Sequence, residues 1–392
     1  MPHYNIAFYS DTYLPAMDGV VNSMLNFKRE LERRGNKVYI FSSKKGMRGR
    51  GAAGASKDVF LYPGVDFKPY PQYSVAVFPY HSLLKLRSLD IDLIHAQTPF
   101  VMGFNGLMAA KLGRYPLVGS YHTMIGSKSL AAYYPKNRML KKFYSTYIWK
   151  YTKFFYNRCD ATIAPSRVIE SLLRRHDIKN TALVPNSIDT KRFSPKVDGS
   201  AMRERLGIGD GDRMVLYLGR ISTEKKIEVM LRAAKSIRAR RKDVSFVIGG
   251  TGPALEHYHH MAKRLGILDS VKFLGFVGDK SLPSLYAASD ALCIPSTFET
   301  QGIVSLEAMA CGKPVVAADY LALHEIVENG RNGERFQAGN YIACAKKIEK
   351  VLNNCESYKK QALSTANDFS VGKVTDRLLK VYDSVSTKQA FF

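Results

Sequence analysis

Short apolar runs alternate with amphipathic stretches along the whole chain, and the alternation occurs twice. This rhythm constrains the fold more than any other feature. A strand whose chain returns through a helix places the next strand parallel to the first. In the first half Tyr4–Ser10 reads as a strand, and Val20–Arg34 follows with helical spacing at Val20, Met24, Phe27 and Leu31 before Gly35. Val38–Ser42, Leu93–His95, Leu117–Tyr121 and Ala161–Ala164 are further runs of the buried parallel type. The second half offers strands at Met214–Leu218, Ser245–Ile248, Val271–Leu274, Ala291–Ile294 and Pro314–Ala317. Helices at about 226–240, 254–265, 303–311 and 341–353 separate them. Pro, Asn, Ser and Asp cluster at Pro185–Pro195 and mark a linker. The pattern predicts an α/β protein of two doubly wound Rossmann-like domains, residues 1–190 and 191–370, facing a central cleft at the carboxyl ends of both sheets. An amphipathic helix within 371–392 completes the chain, and the sequence leaves open which domain it packs on.

Composition narrows the setting. At 392 residues and 46% hydrophobic, the chain has material for two cores. No run approaches the ~18 apolar residues of a spanning helix. The first apolar run, Tyr4 to Tyr9, meets Asp11 and reads as a strand rather than a leader. Cys159, Cys293, Cys311, Cys344 and Cys355 form no CxxC pair, which fits a reducing compartment, and no Cys/His cluster has metal-ligand spacing. These features predict a cytoplasmic protein without a metal or other cofactor. The net charge of +24 is uneven: residues 1–190 hold 27 Lys and Arg against 12 Asp and Glu. Such a field attracts nucleic acid, anionic lipid or phosphorylated small molecules, and its sign alone does not choose among them.

The chemistry concentrates in a few segments. Strand Ala291–Ile294 runs through Pro295 into a loop holding Glu299, and a helix opens near Gly302 with Glu307 inside it. A helix opening after a strand points unpaired amides outward with about half a unit of positive charge, which suits a diphosphate. Glu299 and Glu307 bracket that anion site, and carboxylates accept hydrogen bonds from sugar hydroxyls. Glu307 sits among Val304, Leu306, Ala308 and Met309, where burial without a ligand is costly. Gly219–Lys226 carries Arg220 and Lys225 from the first strand of the second domain into a helix. Arg can grip phosphate in a bidentate fork and Lys adds a point charge. Gly19, after Asp18, permits close backbone approach at the first strand-to-helix turn, and His122 ends the strand Leu117–Tyr121. Gly49–Gly54 matches GxGxxG, but it is not tight against a strand, and its basic neighbours make it a loop rather than a dinucleotide site.

These motifs resemble family 4 of the retaining glycosyltransferases, which have the GT-B fold. The resemblance rests on Glu299 and Glu307 seven residues apart in between, on Arg220 to Lys225, on Pro185–Asp189 and on Ile248–Pro253. Carried over, it implies that Arg220 and Lys225 bind the donor diphosphate, Glu307 the ribose and Glu299 the transferred sugar. The backbone of Gly302, Ile303 and Val304 would complete that site, with Gly19 approaching the phosphates and His122 beside the sugar. The family commonly has two glycines at the first turn, whereas here Asp18 precedes Gly19. Glu299–Gly302 and Ser10–Pro15 are similar to the versions in glycolipid synthases that glycosylate diacylglycerol. The resemblance therefore implies transfer of a hexose, glucose from UDP-glucose, with retention and without a divalent metal, to a membrane lipid. A GDP-mannose-dependent mannosyltransferase acting on a lipid, polyprenyl carrier or soluble glycan is the alternative within enzymes. A nucleic-acid-binding protein is the alternative outside them, and it has no need of Glu299 and Glu307 beside a phosphate site.

The basic half suggests where such an enzyme meets its acceptor. No acid occurs between Asp92 and Asp160, and residues 128–158 interleave lysines with aromatics. Met139, Phe143, Tyr147, Tyr151 and Phe154 recur at helical spacing and are expected to pack inward. Lys141, Lys142, Trp149, Lys150 and Lys153 would then face an anionic membrane surface, peripherally and from the cytoplasmic side.

Overall fold

The computed structural model describes residues 3–15, 18–45, 57–66, 74–77, 81–122, 124 and 138–389. The Gly49–Gly54 match lies outside them. The described residues form two compact units: residues 1–187 with 371–392, and Ile188–Ser370.

The first unit contains β1 (Asn5–Ser10), β2 (Lys37–Lys45), β3 (Val59–Asp66), β4 (Ser74–Ala76), β5 (Leu93–Ala96), β6 (Leu117–Ser120), β7 (Ala161–Ala164) and β8 (Thr181–Leu183). They form one sheet in the order β4-β3-β2-β1-β5-β6-β7-β8, parallel except where β3 meets β4. Its helices are α1 (Gly19–Arg33), α2 (His81–Arg87), α3 (Val101–Gly113), α4 (Arg138–Tyr156) and α5 (Arg167–Arg175). Apolar side chains of α2 to α5, among them Leu86, Met102, Leu107, Phe155, Tyr156 and Ile169, build one core against the sheet. Met24, Phe27 and Leu31 of α1 belong to another. α1 begins at a side-chain cap, because Asp18 accepts from the amides of Val20 and Val21, both at 2.9 Å. It ends at Arg34, and Gly35 then takes a φ of 86°.

The second unit is a six-stranded, all-parallel sheet. Its strands are β9 (Arg213–Leu218), β10 (Val244–Gly249), β11 (Val271–Gly275), β12 (Ala291–Ile294), β13 (Val315–Ala318) and β14 (Gly333–Phe336). α6 (Ser200–Arg205), α7 (Ile227–Arg238), α8 (Leu255–Leu265), α9 (Leu282–Ala288), α10 (Ile303–Ala310), α11 (Ala322–Ile326), α12 (Tyr341–Leu352) and α13 (Cys355–Asp368) cover it. Two buried clusters hold the layers together, one with α7, α8 and α12 and the other with α9, α10 and α13. Near-continuous burial of β9, β12 and β13 is what a parallel sheet covered on both faces requires.

The sheet orders locate the switch points, where neighbouring strands send their helices to opposite faces. These fall between β1 and β5 in the first unit and between β9 and β12 in the second.

The last helix, α14 (Val371–Gln389), joins the first unit and not the one it follows in sequence. Val374, Leu378, Leu379, Tyr382 and Val385 enter the cluster that holds α1. Polar contacts fix it there: Tyr4 donates to Asp383 at 2.7 Å, and Arg34 pairs with Asp376 and donates to the Gly372 carbonyl at 2.9 Å. His95, fully buried, lies 2.7 Å from the Tyr382 hydroxyl and 2.8 Å from Ser120 Oγ. Burial pushes the His95 imidazolium down to about 3, so the ring is neutral.

Candidate active site

The second unit gathers seven of the expected residues at the carboxyl ends of β9 and β12, its switch point. β9 runs into Gly219 at a φ of 147°, and Arg220 follows with its carbonyl held by the Tyr217 hydroxyl at 2.9 Å. The loop after β10 lies directly on this turn. A Cβ on Gly250, whose φ is 134°, would stand 1.9 Å from the Gly219 carbonyl oxygen. A Cβ on Gly252 would stand 2.2 Å from that of Ile221. The amide of Ile221 donates to Thr251 O at 2.9 Å, and that of Ala254 donates to Ile221 O at 3.1 Å. Two strand-end loops thus pack backbone against backbone, and only glycine allows it. The result is a rigid mount for Arg220.

Lys225 lies in the 3-10 turn Thr223–Lys225. Its ammonium donates to Glu299 Oε1 at 2.7 Å and to the Phe298 carbonyl at 3.1 Å. The amide of Thr297 donates to Glu224 O at 3.3 Å, so the loops after β9 and β12 are tied at two points. Both Lys225 and Glu299 are largely shielded, which strengthens the pair relative to one in water. Lys225 and Glu299, expected on a diphosphate and on a sugar respectively, are joined here in one ion pair.

α10 opens at Gly302, with a φ of 80°. A Cβ there would approach Leu323 Cδ2 to 2.9 Å. The amides of Ile303 and Val304 belong to the first turn, where no helix carbonyl is available to them. Glu307 lies one turn further in, 9% exposed, and Oε2 accepts from the Tyr286 hydroxyl at 2.6 Å. Burial pushes its carboxyl up to about 7, while the Tyr286 bond and the charge of Arg192 pull the other way. Arg192 is itself paired with Asp279 at 2.8 Å. Glu299 and Glu307 therefore have different surroundings: one pairs with a cation, the other lies in a buried polar niche. Tyr286, Arg192 and Asp279 were not legible in the sequence, since none carries a motif and each meets Glu307 only through folding.

In the first unit Gly19 is the first residue of α1, and His122 lies just past the end of β6. Gly19 is exposed, and Asp18, which departs from the family pattern, is the helix cap. His122 Nε2 lies 3.1 Å from Gln97 Oε1 at the end of β5, and Asn186 bonds the ring as well. Burial pushes the imidazolium down to about 4, with the Asn186 bond acting in the opposite sense, so His122 is neutral at neutral pH. Gln97 and Asn186 are positioning residues; no sequence signal marked Gln97, and Asn186 lies within the Pro185–Asp189 segment without a role assigned to it there.

Of the expected membrane segment, residues 128–137 lie outside the described residues, and Arg138–Tyr156 folds as α4, but with another face inward. Trp149 is half-buried and stacks on His176 with ring centroids 3.5 Å apart. Thr152, Phe155 and Tyr156 are buried, whereas Tyr147 and Phe154, expected inside, are exposed. Lys150 is exposed, and Lys153 pairs with Asp177 at 2.8 Å. The side chains of Lys141 and Lys142 lie outside the described residues. α4 is apolar on more than one face, so spacing alone did not determine which stripe meets the sheet.

A family model described as "Glycosyltransferase Family 4" matches residues 17–192, and one described as "Glycosyl transferases group 1" matches residues 198–366. The chain belongs to the family 4 glycosyltransferases. This glycosyltransferase is 29% identical to an alpha-monoglucosyldiacylglycerol synthase of Streptococcus pneumoniae, over 87% of its own length and 77% of the relative's. It is 26% identical to a GDP-mannose-dependent alpha-mannosyltransferase of Corynebacterium glutamicum, over 84% and 75% of the two chains. Its fold is GT-B. A solved structure of HepE from Anabaena, in complex with UDP and glucose, superposes with a TM-score of 0.76 at 23% identity, covering 97% of this chain and all of that one. Among the described residues of this glycosyltransferase, no helix is long and apolar enough to cross a membrane.

Proposed function

We propose that the enzyme transfers a hexose, glucose from UDP-glucose, to a membrane lipid acceptor of the diacylglycerol type, with retention of anomeric configuration and without a divalent metal. One observation carries the donor half: Arg220, the Lys225–Glu299 pair and the opening turn of α10 meet at the switch point of the second unit. Breaking the glycosidic bond moves charge onto the departing diphosphate. Arg220, Lys225 and the amides of Ile303 and Val304 are preorganised donors for that charge. Lys225 also ties Glu299 to the phosphate end, so a sugar bonded to Glu299 is held with its leaving group at the cations. Glu307 receives the ribose hydroxyls. His122, neutral and held by Gln97 and Asn186, can bond the sugar without adding charge to it.

The acceptor half rests on relatives. The pneumococcal protein is named for diacylglycerol, and a sulfoquinovosyl transferase of Arabidopsis thaliana is 28% identical over 87% of this chain. The mannosyltransferase relative supports the second reading, GDP-mannose as donor. The placement is peripheral, on the cytoplasmic face of the membrane. A panel of nucleotide sugars assayed for slow hydrolysis without acceptor, then with diacylglycerol in mixed micelles, tests both halves. Turnover of UDP-glucose and a glycolipid product are expected. Hydrolysis of GDP-mannose alone would replace this reading with the second.

A further inference from the structure

α3 is apolar but for Asn105 and Lys111, yet one side is open to solvent. A helix of this kind is normally buried throughout or seated on something apolar. The small residues contribute to its orientation. A Cβ on Gly103 would stand 1.7 Å from the Thr98 carbonyl oxygen, and one on Gly106 would stand 3.0 Å from the Tyr9 ring. Met102, Gly103, Gly106, Leu107, Ala109 and Ala110 are buried on the sheet side, and Phe104, Met108 and Leu112 are turned away from it. Phe100, Phe104, Met108 and Leu112, four residues apart in succession, are 47%, 39%, 41% and 66% exposed. α4 lies beside the start of α3: the Tyr151 hydroxyl donates to the Pro99 carbonyl, and Phe155 faces Gly103. Its own outward side carries Tyr147, 77% exposed, and Phe154, 41% exposed. Exposed apolar side chains grouped on neighbouring helices mark an interaction surface.

Charge identifies what covers it. Lys111 shares the outward face of α3 and Lys150 that of α4, and Arg158, in the turn after α4, lies with its guanidinium 3.7 Å from the Phe154 ring centroid. The chain carries no Asp or Glu between Asp92 and Asp160, so neither helix offers a carboxylate. A second copy would set these cations against one another. An anionic bilayer supplies both the opposite charge and an apolar layer beneath it.

We propose that the outward faces of α3 and α4 dock this enzyme on an anionic lipid surface, with Phe104 and Met108 entering the acyl boundary and Lys111, Lys150 and Arg158 at headgroup level. The assignment rests on the lipid-acceptor reading and moves the contact from Trp149, which packs on His176, to α3.

The test is flotation of the full chain with vesicles of phosphatidylcholine alone or mixed with phosphatidylglycerol. Wild type is expected to float with the anionic vesicles and to be released as salt shortens the Debye length below about 10 Å. Phe104→Ser with Met108→Ser should weaken partition about tenfold or more. Lys111→Gln with Lys150→Gln should weaken it about 25-fold, at about fivefold per charge. All four are exposed and outside the donor set, so nucleotide-sugar hydrolysis should persist and shows that each variant is folded. Full binding by the Phe104/Met108 variant, equal binding to neutral vesicles or absence of wild-type binding would overturn the assignment. So would wild-type dimers in sedimentation velocity that the Phe104/Met108 variant abolishes. Diacylglycerol in mixed micelles separates the two levels. If wild type glycosylates it there, the acceptor reading stands whatever flotation shows; if wild type makes no glycolipid in either format, the acceptor reading fails while flotation still decides the surface.

Discussion

Glu307→Gln should stabilise the second unit and weaken its donor binding, each with a distinct pH signature. The carboxyl is buried, and its proton leaves near 7 instead of the ordinary 4.5. At about 1.4 kcal/mol per pH unit, the ionised form costs the folded state about 3 kcal/mol. The folded state holds this proton more tightly than the unfolded one. Stability from this group is therefore undiminished below 4.5, falls as pH rises between 4.5 and 7, and is lowest above 7. Glutamine keeps an acceptor oxygen for Tyr286 and never ionises. The variant should match wild type near pH 4 and exceed it at pH 8 by about 3 kcal/mol, roughly 6–12 °C in the midpoint of a unit this size. Differential scanning calorimetry across that range measures it. The same carboxylate is the expected acceptor for the ribose hydroxyls, so donor binding should release a proton near neutral pH. Titration calorimetry in two buffers of different ionisation enthalpy reads that release. Losing a charged hydrogen bond of about 1.5–3 kcal/mol should weaken the donor roughly ten- to hundredfold. A gain in midpoint that is the same at pH 4 and pH 8, or unaltered donor affinity, would refute the argument.

Arg220→Ala and Glu299→Ala should each lower transfer by about a hundredfold or more with the fold intact; near wild-type turnover in both would remove the donor site from this loop pair. Transfer should survive excess EDTA and give the α-anomer from an α-linked donor, and a β-anomeric coupling in the proton NMR spectrum of the product would rule out retention. Gly250→Ala should destabilise the second unit by about 2–4 kcal/mol and abolish turnover, because its Cβ would stand 1.9 Å from the Gly219 carbonyl; unchanged chemical denaturation would contradict the backbone contact. The first unit should lose stability as pH falls from 6.5, since His95 and His122 are held neutral with imidazolium values near 3 and 4. His95→Gln should blunt that acid loss, and an unchanged acid midpoint would count against the buried neutral ring.

Much of the architecture is written in local pattern. Parallel strands covered on both faces must be short apolar runs, and Ala161–Ala164 and Ala291–Ile294 appear in the fold with the boundaries read from the chain. Glu307 in an apolar run announces a buried acid, because its burial is costly without a partner, whereas the close backbone approach at Gly250 and Gly252 came to light only in the fold. Contacts between distant segments carry no such mark. Lys225 meets Glu299 from 74 residues away, and Glu307 finds Tyr286 from another helix. α14 crosses back to the first unit because Tyr4, Arg34 and His95 offer partners there that no periodicity encodes. The expected inward stripe of α4 failed for a related reason: a helix with aromatics on several sides offers more than one, and Phe155 and Tyr156 pack inward while Tyr147 and Phe154 face out. On α3 the small residues contribute to the choice: Gly103 and Gly106 pack inward, and Phe104 and Met108 are left facing out.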